Sequence, residues 1–379
     1  MEIMMTITPI PESKLKKYLS VLDHTKDGST HAINKVYRKI VDRIRDTNPD
    51  SEILVWRQDP IVTIEDNYDN LLIPADNIGR SSTYTHYVDN DRLLRTQTSA
   101  GIPPAMRSLS NRTDWDDVII IVPGLKYRRD VSDRTHVGQI QAMDIWRIVR
   151  TESRPQVTQD TLTDAVRYIA DAAAPGWSLR IIDSPHPYTN GGREVNAVHP
   201  GGRDIEILEC GLIKEEVLAK NGLDPEVYSG WALGMGLDRL VMTLKNIPDI
   251  RYLRSDNPRI SKQMHDLKAY REVSLMPPIH RDISYSVPIT YVEEDISQAI
   301  MTALGDKRPI LEQVDVLSET AYEDLPKVAI KNLGMNADQK NVLVRITLRD
   351  LEKTLTKTQA NQIYDQLYPT LHHGTSGYK

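Results

Sequence analysis

The sequence predicts an α+β protein, in which helices pack on a largely antiparallel sheet and a second α/β unit follows. Three observations lead to this prediction. Between about residues 50 and 270, short apolar runs are divided by polar turns, as in a succession of strands. Long polar excursions separate these runs, which favours antiparallel neighbours over regular βαβ units. After residue 274, strand-type alternation and helix-type spacing follow one another in the order β-α-β-β-α, which resembles a split βαβ module.

The chain opens with a polar, proline-containing segment, residues 1–30, which we expect to form a loosely attached arm. HAINKVYRKIVDRIRD (31–46) then places apolar residues at spacings of three and four, which predicts an amphipathic helix. The opposite face of this helix is rich in lysine and arginine. It is either a solvated helix surface or a surface that meets a nucleic-acid backbone.

The central part of the chain is expected to supply the main sheet and its helices. Buried strands are predicted over DDVIIIVPG (116–124), WSLRIID (177–183) and RDIEILECG (203–211). Helices are predicted over TQDTLTDAVRYIADAAA (158–174) and, after two glycines, over LDRLVMTLKNI (237–247). Together these elements define a central domain, which we place at residues 31–273.

A further domain is expected to begin near a Pro-Pro pair, and we place it at residues 274–379. Strands are predicted over DISYSVP (282–288), LEQVDVLSE (311–319) and NVLVRITLRD (341–350), with a helix over EEDISQAIMTAL (293–304). The last helix opens with Thr356 and Gln359 at capping-box spacing. This order predicts a ferredoxin-like (βαββαβ) domain.

Bulk composition limits the function classes. With 379 residues, 40% hydrophobic and 26% charged, the chain has the composition of a globular protein of two or more domains. A net charge of -6 argues against a nucleic-acid coat protein, but it allows a nucleic-acid partner that binds one local basic face.

Cysteine usage and the apolar runs bear on the compartment. The single cysteine, Cys210, excludes an internal disulfide framework and fits a reducing compartment. No apolar run is long enough to cross a bilayer, and the N-terminal residues have neither secretory nor transit character. We therefore expect a cytoplasmic protein without a membrane partner, or a mitochondrial matrix protein if the N-terminus has been trimmed.

Two stretches carry residues suited to a phosphate ligand. In GWALGMGLDRL (230–240), two glycines precede Arg239, and the missing Cβ atoms let backbone N–H groups approach a ligand closely. In KYRRDVSDRTH (126–136), Arg128 follows a predicted buried strand. Two separated guanidinium groups can hold opposite ends of a polyphosphate, although such arginines also form surface ion pairs with nearby aspartates. Neither stretch matches a dinucleotide or P-loop pattern, so a nucleotide would be held in another manner.

The same two stretches resemble signature motifs of class II aminoacyl-tRNA synthetases, in the form found in phenylalanyl-tRNA synthetases. GWALGMGLDRLVM resembles the third motif and KYRRDVSDRTH the second. Further blocks resemble the same family in the same order: NYDNLLIPADNIGR (67–80), LLRTQTSA (93–100), NIPDIRYLRSDNPRISKQM (246–264) and PPIHRDISYSVP (277–288). The likeness runs from about residue 31 to the C-terminus and is closest to the single-chain, organelle-type enzymes.

The resemblance implies an antiparallel class II catalytic sheet, the use of ATP and Mg²⁺, and an amino acid that is activated and then transferred to tRNA. On matching positions, Arg128 would hold the α-phosphate of ATP and Arg239 its γ-phosphate, which makes both residues catalytic. Glu206 would bind ATP and Mg²⁺ as an oxygen ligand. His136, inside the loop of the second motif, either supports the loop or contacts ATP or the tRNA end. Residues 274–379 would bind the anticodon, and we expect a monomer.

The resemblance also implies an amino-acid pocket. Eight positions match it: Gln97, Ser99, Ala142, Asp144, His186, Tyr188, Ala232 and Gly234. Several of them depart from the family's residues, because the family's THTS is TQTS here, its FHQxE block is IQAMD, and its Phe-Pro-Phe turn is PHPYT. In addition, Glu209 occupies the place of a family glycine beside the pocket strand.

The chain contains no phenylalanine, and this leaves two hypotheses for the pocket. Global depletion would replace two pocket phenylalanines by His186 and Tyr188 and leave phenylalanine as the substrate. Depletion does not account for Gln97, Ala142, Asp144 or Glu209, and polar groups without partners discriminate against a plain phenyl ring. We expect an enzyme that activates phenylalanine and transfers it to tRNA. The alternative is a paralogue that activates a larger or more polar aromatic amino acid, with or without tRNA.

Overall fold

The computed structural model describes residues 7–129, 135–198, 204–273, 276–350 and 353–376. The chain forms two compact units. The first contains the chain up to Arg129 together with Gln139–Ile247 and Met264–Ala269. The second contains the segment that ends at Gly138, Pro248–Gln263 and the chain from Tyr270 onward. The domain boundaries predicted from the sequence, after residues 30 and 273, stay predictions.

The first unit is built around a large sheet that has helices on both faces. Its described strands are β1 (Glu52–Val55), β2 (Ile61–Thr63), β3 (Arg92–Leu94), β4 (Asp117–Tyr127), β5 (Gln139–Arg150), β6 (Ser178–Asp183), β7 (Thr189–Val198), β8 (Asp204–Ile213) and β9 (Tyr228–Gly236). Its described helices are α1 (Glu12–Leu19), α2 (Ala32–Thr47), α3 (Ile64–Asn67), α4 (Ile102–Ser110), α5 (Gln159–Ala173), α6 (Glu215–Lys220) and α7 (Leu237–Leu244). The predicted helices in α2, α5 and α7 and the predicted strands in β4 and β8 are confirmed.

Seven of these strands form the main sheet, in the order β1-β4-β5-β9-β8-β7-β6, while β2 and β3 pair separately. All neighbours in the main sheet are antiparallel except β1 and β4, which are parallel. The middle strands are rich in apolar residues, as expected for strands covered on both faces. One face packs on α4 and α6, and α2, α5 and α7 pack on the other side.

One strand that was predicted to be buried is largely exposed. The segment 177–183 does contain a strand, β6, but Ile181 and Ile182 are 44% and 41% exposed. The reason is its place in the sheet, since β6 is the last strand and pairs with β7 alone among the described strands. A run of apolar residues therefore did not distinguish an edge strand from a central one.

The loosely attached arm predicted at residues 1–30 is also wrong for its described part. Helix α1 buries Tyr18, which is 3% exposed, and Ile10 N–H donates to the carbonyl oxygen of Tyr87 at 2.7 Å. Four of its residues, Ile10, Leu15, Tyr18 and Val21, pack in one cluster with Tyr127 and its neighbours, whereas Leu19 and Leu22 are exposed.

The second unit contains a three-stranded antiparallel sheet, ordered β10-β12-β11. Its described elements are α8 (Pro258–Ser261), β10 (Ile279–Pro288), α9 (Glu293–Leu304), β11 (Leu311–Ala321), α10 (Lys327–Leu333), β12 (Gln339–Leu348) and α11 (Lys357–Leu371). Helices α9 and α11 share the apolar core with the sheet. The capping box of Thr356 and Gln359 is confirmed at the start of α11. Strand order and the α9 crossover agree with the first three strands of the predicted βαββαβ unit, whose fourth strand is not among the described elements.

Candidate active site

Three neighbouring strands of the main sheet place two carboxylates on either side of a glycine. In the strand register, Asp144 of β5 lies opposite Gly234 of β9, and Gly234 lies opposite Glu209 of β8. Directly opposed residues point to the same face of a sheet. In the next row of that face, Trp146 lies opposite Ala232. The sheet therefore presents a short floor of small residues bounded by acidic and aromatic side chains.

A β-bulge brings a further carboxylate onto this face. Residues three apart on a regular strand point to opposite faces, so Glu206 and Glu209 would be separated by the sheet. The register of β7 and β8 shifts, because Val195 pairs with Leu208 but Asn196 pairs with Glu206. The extra residue on β8 returns Glu206 to the face of Glu209. There Glu206 Oε2 lies 3.6 Å from Arg239 Nη1.

The two predicted catalytic arginines stand at the ends of different strands. Arg239 lies in the first turn of α7, directly after β9, with its side chain 44% exposed. Arg128 follows β4, is exposed, and donates from Nε to the carbonyl oxygen of Thr96 at 3.2 Å. Both guanidinium groups are thus held by protein oxygens and retain exposed surface for a ligand.

The charge around Glu206 suits a bound cation. Burial raises the pKa of Glu206 above its usual value, the nearby Glu209 raises it further, and Arg239 opposes the shift. A divalent cation on the carboxylate would favour the ionised form. Within the described residues, no cluster of three or more His, Cys, Asp or Glu side chains is arranged to hold a metal. Mg²⁺ is commonly bound by one or two carboxylates together with substrate phosphates.

Asp144 is the most densely hydrogen-bonded group of the site. Its buried carboxylate accepts from Thr98 Oγ1 at 2.6 Å, Ser99 Oγ at 2.7 Å and Trp146 Nε1 at 3.1 Å. Burial raises the pKa of Asp144, and the three donors work in the opposite direction. These bonds fix the carboxylate beside Gly234 and fix Ser99 at the start of the α4 turn.

Three stacked rings form the wall of the pocket. Tyr188 stacks on Trp146 with centroids 5.6 Å apart, and His186 stacks on Tyr188 at 5.9 Å. His186 Nε2 lies 3.2 Å from Glu209 Oε1, and this contact is the main reason why the pKa of Glu209 is lowered. The rings, Asp144 and the glycine floor line a cavity of about 180 Å³ including its mouth.

Three further predicted site residues make no contact with Asp144 or the ring stack in the bonds described above. Ala142 is buried on β5 opposite Gly236, so it adds to the small-residue floor. Gln97 donates from Nε2 to the carbonyl oxygen of Asn67 at 2.8 Å and does not line the cavity. His136 is exposed, its Nδ1 is 3.0 Å from Thr135 Oγ1, and it belongs to the segment grouped with the second unit.

Sequence reasoning missed two members of the site. Trp146 was not predicted as a site residue, yet it carries the ring stack and donates to Asp144. Thr98 was not singled out, although it makes the shortest bond to that carboxylate. One available signal was the spacing of two between Asp144 and Trp146, which places both on one face of a strand.

This sheet, with arginines at two strand ends and a carboxylate between them, defines a catalytic core of the class II synthetase type. The family of class II tRNA synthetase core domains (F) matches residues 20–264, and the chain belongs to this family. The protein is therefore an aminoacyl-tRNA ligase, and the predicted α+β class II fold is confirmed. Enzymes of this class use ATP and Mg²⁺.

Named relatives cover most of the chain. It is 28% identical over 318 residues to the chloroplastic/mitochondrial phenylalanine--tRNA ligase of Arabidopsis thaliana, covering 81% of this chain and 68% of that protein. It is 26% identical over 366 residues to a probable mitochondrial phenylalanine--tRNA ligase of Drosophila melanogaster, covering 82% and 75%. Among solved structures, pyrrolysyl-tRNA synthetase from Desulfitobacterium hafniense matches 64% of this chain and 80% of that chain, at 18% identity and a TM-score of 0.46.

No helix of the described residues is long and apolar enough to span a membrane.

Proposed function

We propose that this protein activates phenylalanine with ATP and transfers it to a phenylalanine tRNA. One observation carries the proposal. The same face of the sheet has a floor of small residues, a ring stack, and Glu206 paired with Arg239, a residue suited to a phosphate ligand. The names of the relatives support phenylalanine and do not favour the alternative, a paralogue for a larger or more polar aromatic amino acid.

In the proposed activation step, a carboxylate oxygen of phenylalanine attacks the α-phosphorus of ATP and pyrophosphate leaves. Arg128 would hold the α-phosphate and Arg239 the γ-phosphate, so that both stabilise charge on the transferring group. Glu206 would hold Mg²⁺, which supplies neutralisation of the phosphate charge when it is bound. The terminal hydroxyl of tRNA then attacks the carbonyl carbon of the adenylate and AMP leaves. His136 would contact ATP or this end of the tRNA.

In the proposed pocket, Asp144 and Ser99 would meet the ammonium group, with Gln97 beside them. The phenyl ring would lie over Ala232, Gly234 and Ala142, against Tyr188 and His186, as aromatic pairs do when they pack offset or edge-to-face.

The other partners follow from the same proposal. Residues 274–379 would form the ferredoxin-like anticodon-binding domain, and the enzyme would work as a monomer. The relatives are organellar enzymes by name, which supports a mitochondrial compartment over the cytoplasmic one expected from the composition.

Charging of a phenylalanine tRNA transcript tests the proposal. With phenylalanine and ATP, the wild-type protein should charge this transcript and not a transcript for another amino acid. Arg239→Ala should lower kcat/KM by about 100-fold, the usual loss for one group that stabilises transition-state charge. The matched control is Arg167→Ala, which removes a guanidinium on the exposed side of α5 paired with Asp164. An uncharged transcript, or equal activity of both variants, would contradict the proposal.

A further inference from the structure

The segment from Ile10 to Thr25, called the strap here, packs against the ends of the segments that carry the two catalytic arginines. It was expected to be loose, yet within the first unit it buries Tyr18 and packs the partly buried Ile10, Leu15 and Val21 against the same cluster. The role assigned to it below rests on the proposed function.

The first contact of the strap is with the residue before Arg128. The Tyr18 ring stacks on the ring of Tyr127, the residue before Arg128, with centroids 6.4 Å apart. Leu94 joins the same cluster, and two residues further on Thr96 supplies the carbonyl oxygen that accepts from Arg128 Nε. Tyr18 therefore supports both the backbone of Arg128 and the group that orients its guanidinium.

The second contact reaches Arg239. The Gln141 side chain donates from Nε2 to the carbonyl oxygen of Leu22 at 2.7 Å and accepts from His24 N–H at 3.2 Å. The backbone N–H of Gln141 donates to the buried carboxylate of Asp238, the residue before Arg239. Gln141 is fully buried, and it bonds the strap through its side chain and the first turn of α7 through its backbone N–H.

A charge contact joins the strap to the strand ends as well. Arg95 is 3% exposed and donates from Nε to the carbonyl oxygen of Leu125 at 2.6 Å. A Cβ on Gly124 would lie 2.3 Å from Arg95 Nη2 and 3.3 Å from Asp23 Oδ2, so both charged groups meet over this glycine. Burial lowers the pKa of Arg95, and Asp23 is the nearby charge that opposes this shift most. The strap thus supplies the nearby counter-charge for a buried arginine that braces β4.

We infer that the strap is a positioning element for ATP, which sets the relative placement of Arg128 and Arg239 through Tyr18 and Gln141. The amino-acid pocket, by contrast, is built from Asp144, Trp146, Tyr188 and the β9 floor, none of which the strap touches in the contacts above. Loosening the strap should therefore affect ATP and leave the amino acid almost unaffected.

The test uses the full chain with Tyr18→Ala and Gln141→Leu. Tyr18→Phe keeps the ring and is the conservative variant, and Lys16→Ala is the control on the strap's exposed side. In amino-acid-dependent ATP–pyrophosphate exchange, each loosening variant should raise the KM for ATP about tenfold, since small misplacements of reacting groups are costly. The KM for phenylalanine should stay within about twofold, because interactions with that substrate are unchanged. Tyr18→Phe and Lys16→Ala should match the wild type.

Calorimetric titration with Mg²⁺–ATP alone separates this inference from the proposed function. The affinity for ATP should fall about tenfold in both loosening variants even if phenylalanine proves not to be the substrate. Unchanged ATP affinity, or equal increases in both KM values that follow a lowered Tm, would overturn the inference. Absence of ATP binding by the wild-type protein would overturn it together with the proposed function.

Discussion

Gly234 offers the sharpest test of where the amino acid binds. Its φ is not positive, so its backbone conformation is open to other residues. A Cβ built there would lie 3.5 Å from Asp144 Oδ1 and 3.7 Å from Asp144 Cγ, which is ordinary van der Waals contact. The fold itself therefore does not require glycine at this position, whereas in the proposed pocket the substrate ring would occupy the space above the strand.

Gly234→Ala should separate stability from activity. Stability should be unchanged or higher by about 0.4–1 kcal/mol, because alanine lowers the entropy of the unfolded chain at a compatible position. One extra carbon in a substrate pocket costs about 1–3 kcal/mol, so kcat/KM for phenylalanine should fall about 10–200-fold. Urea unfolding and ATP–pyrophosphate exchange at varied phenylalanine concentration measure the two effects.

The matched control is Gly230→Ala on the same strand. A Cβ there would lie 2.3 Å from the carbonyl oxygen of Arg147, so the chain must shift and should lose about 1–3 kcal/mol. Its kcat/KM per folded molecule should stay near that of the wild type. A stable Gly234→Ala enzyme with unchanged kcat/KM for phenylalanine would refute the placement of the pocket.

Three further changes test the electrostatics. Asp144→Asn replaces one carboxylate oxygen by an NH2 group, so either Thr98 or the pair Ser99 and Trp146 loses its acceptor. Urea unfolding should show a loss of about 1–3 kcal/mol and exchange activity should fall; full stability would contradict the bonding described. Burial raises the pKa of Glu206 in the folded protein. The protonated side chain therefore favours the folded state below the usual glutamate pKa, and this stability is lost as the pH rises through the raised pKa. Glu206→Gln should therefore have a higher Tm than the wild type at pH 7 but not below about pH 4.3, while losing exchange activity; a Tm difference that is the same at both pH values argues against this. Arg147→Met leaves the buried Asp117 carboxylate without its cation and should cost about 3–5 kcal/mol in urea unfolding, with unchanged kcat of the folded fraction; a loss below 1 kcal/mol would show that the pair is not needed.

Periodicity and motif spacing predicted the elements that carry the site. Helix α2 and strand β4 follow directly from their apolar spacing, and Arg239 was placed at the start of a helix because two glycines precede it. The motif resemblance supplied the family, which no periodicity could supply.

Three features depended on tertiary structure and were out of reach of the sequence. The strap was misjudged because Tyr18 is buried by distant partners such as Tyr127. The common face of Glu206 and Glu209 depends on a bulge, and local sequence alone predicts opposite faces. Trp146 acquires its role from stacking on Tyr188, a residue 42 positions away in the chain.

Amino-acid-dependent ATP–pyrophosphate exchange across the proteinogenic amino acids tests the central claim most directly. The account predicts exchange that is led by phenylalanine, with His186 and Tyr188 as tolerated ring replacements in the pocket wall. Exchange led by another amino acid would show that the polar groups of the pocket, above all His186 and Glu209, select a different substrate. Exchange with none of them would contradict the assignment of Arg128, Glu206 and Arg239 to amino-acid activation.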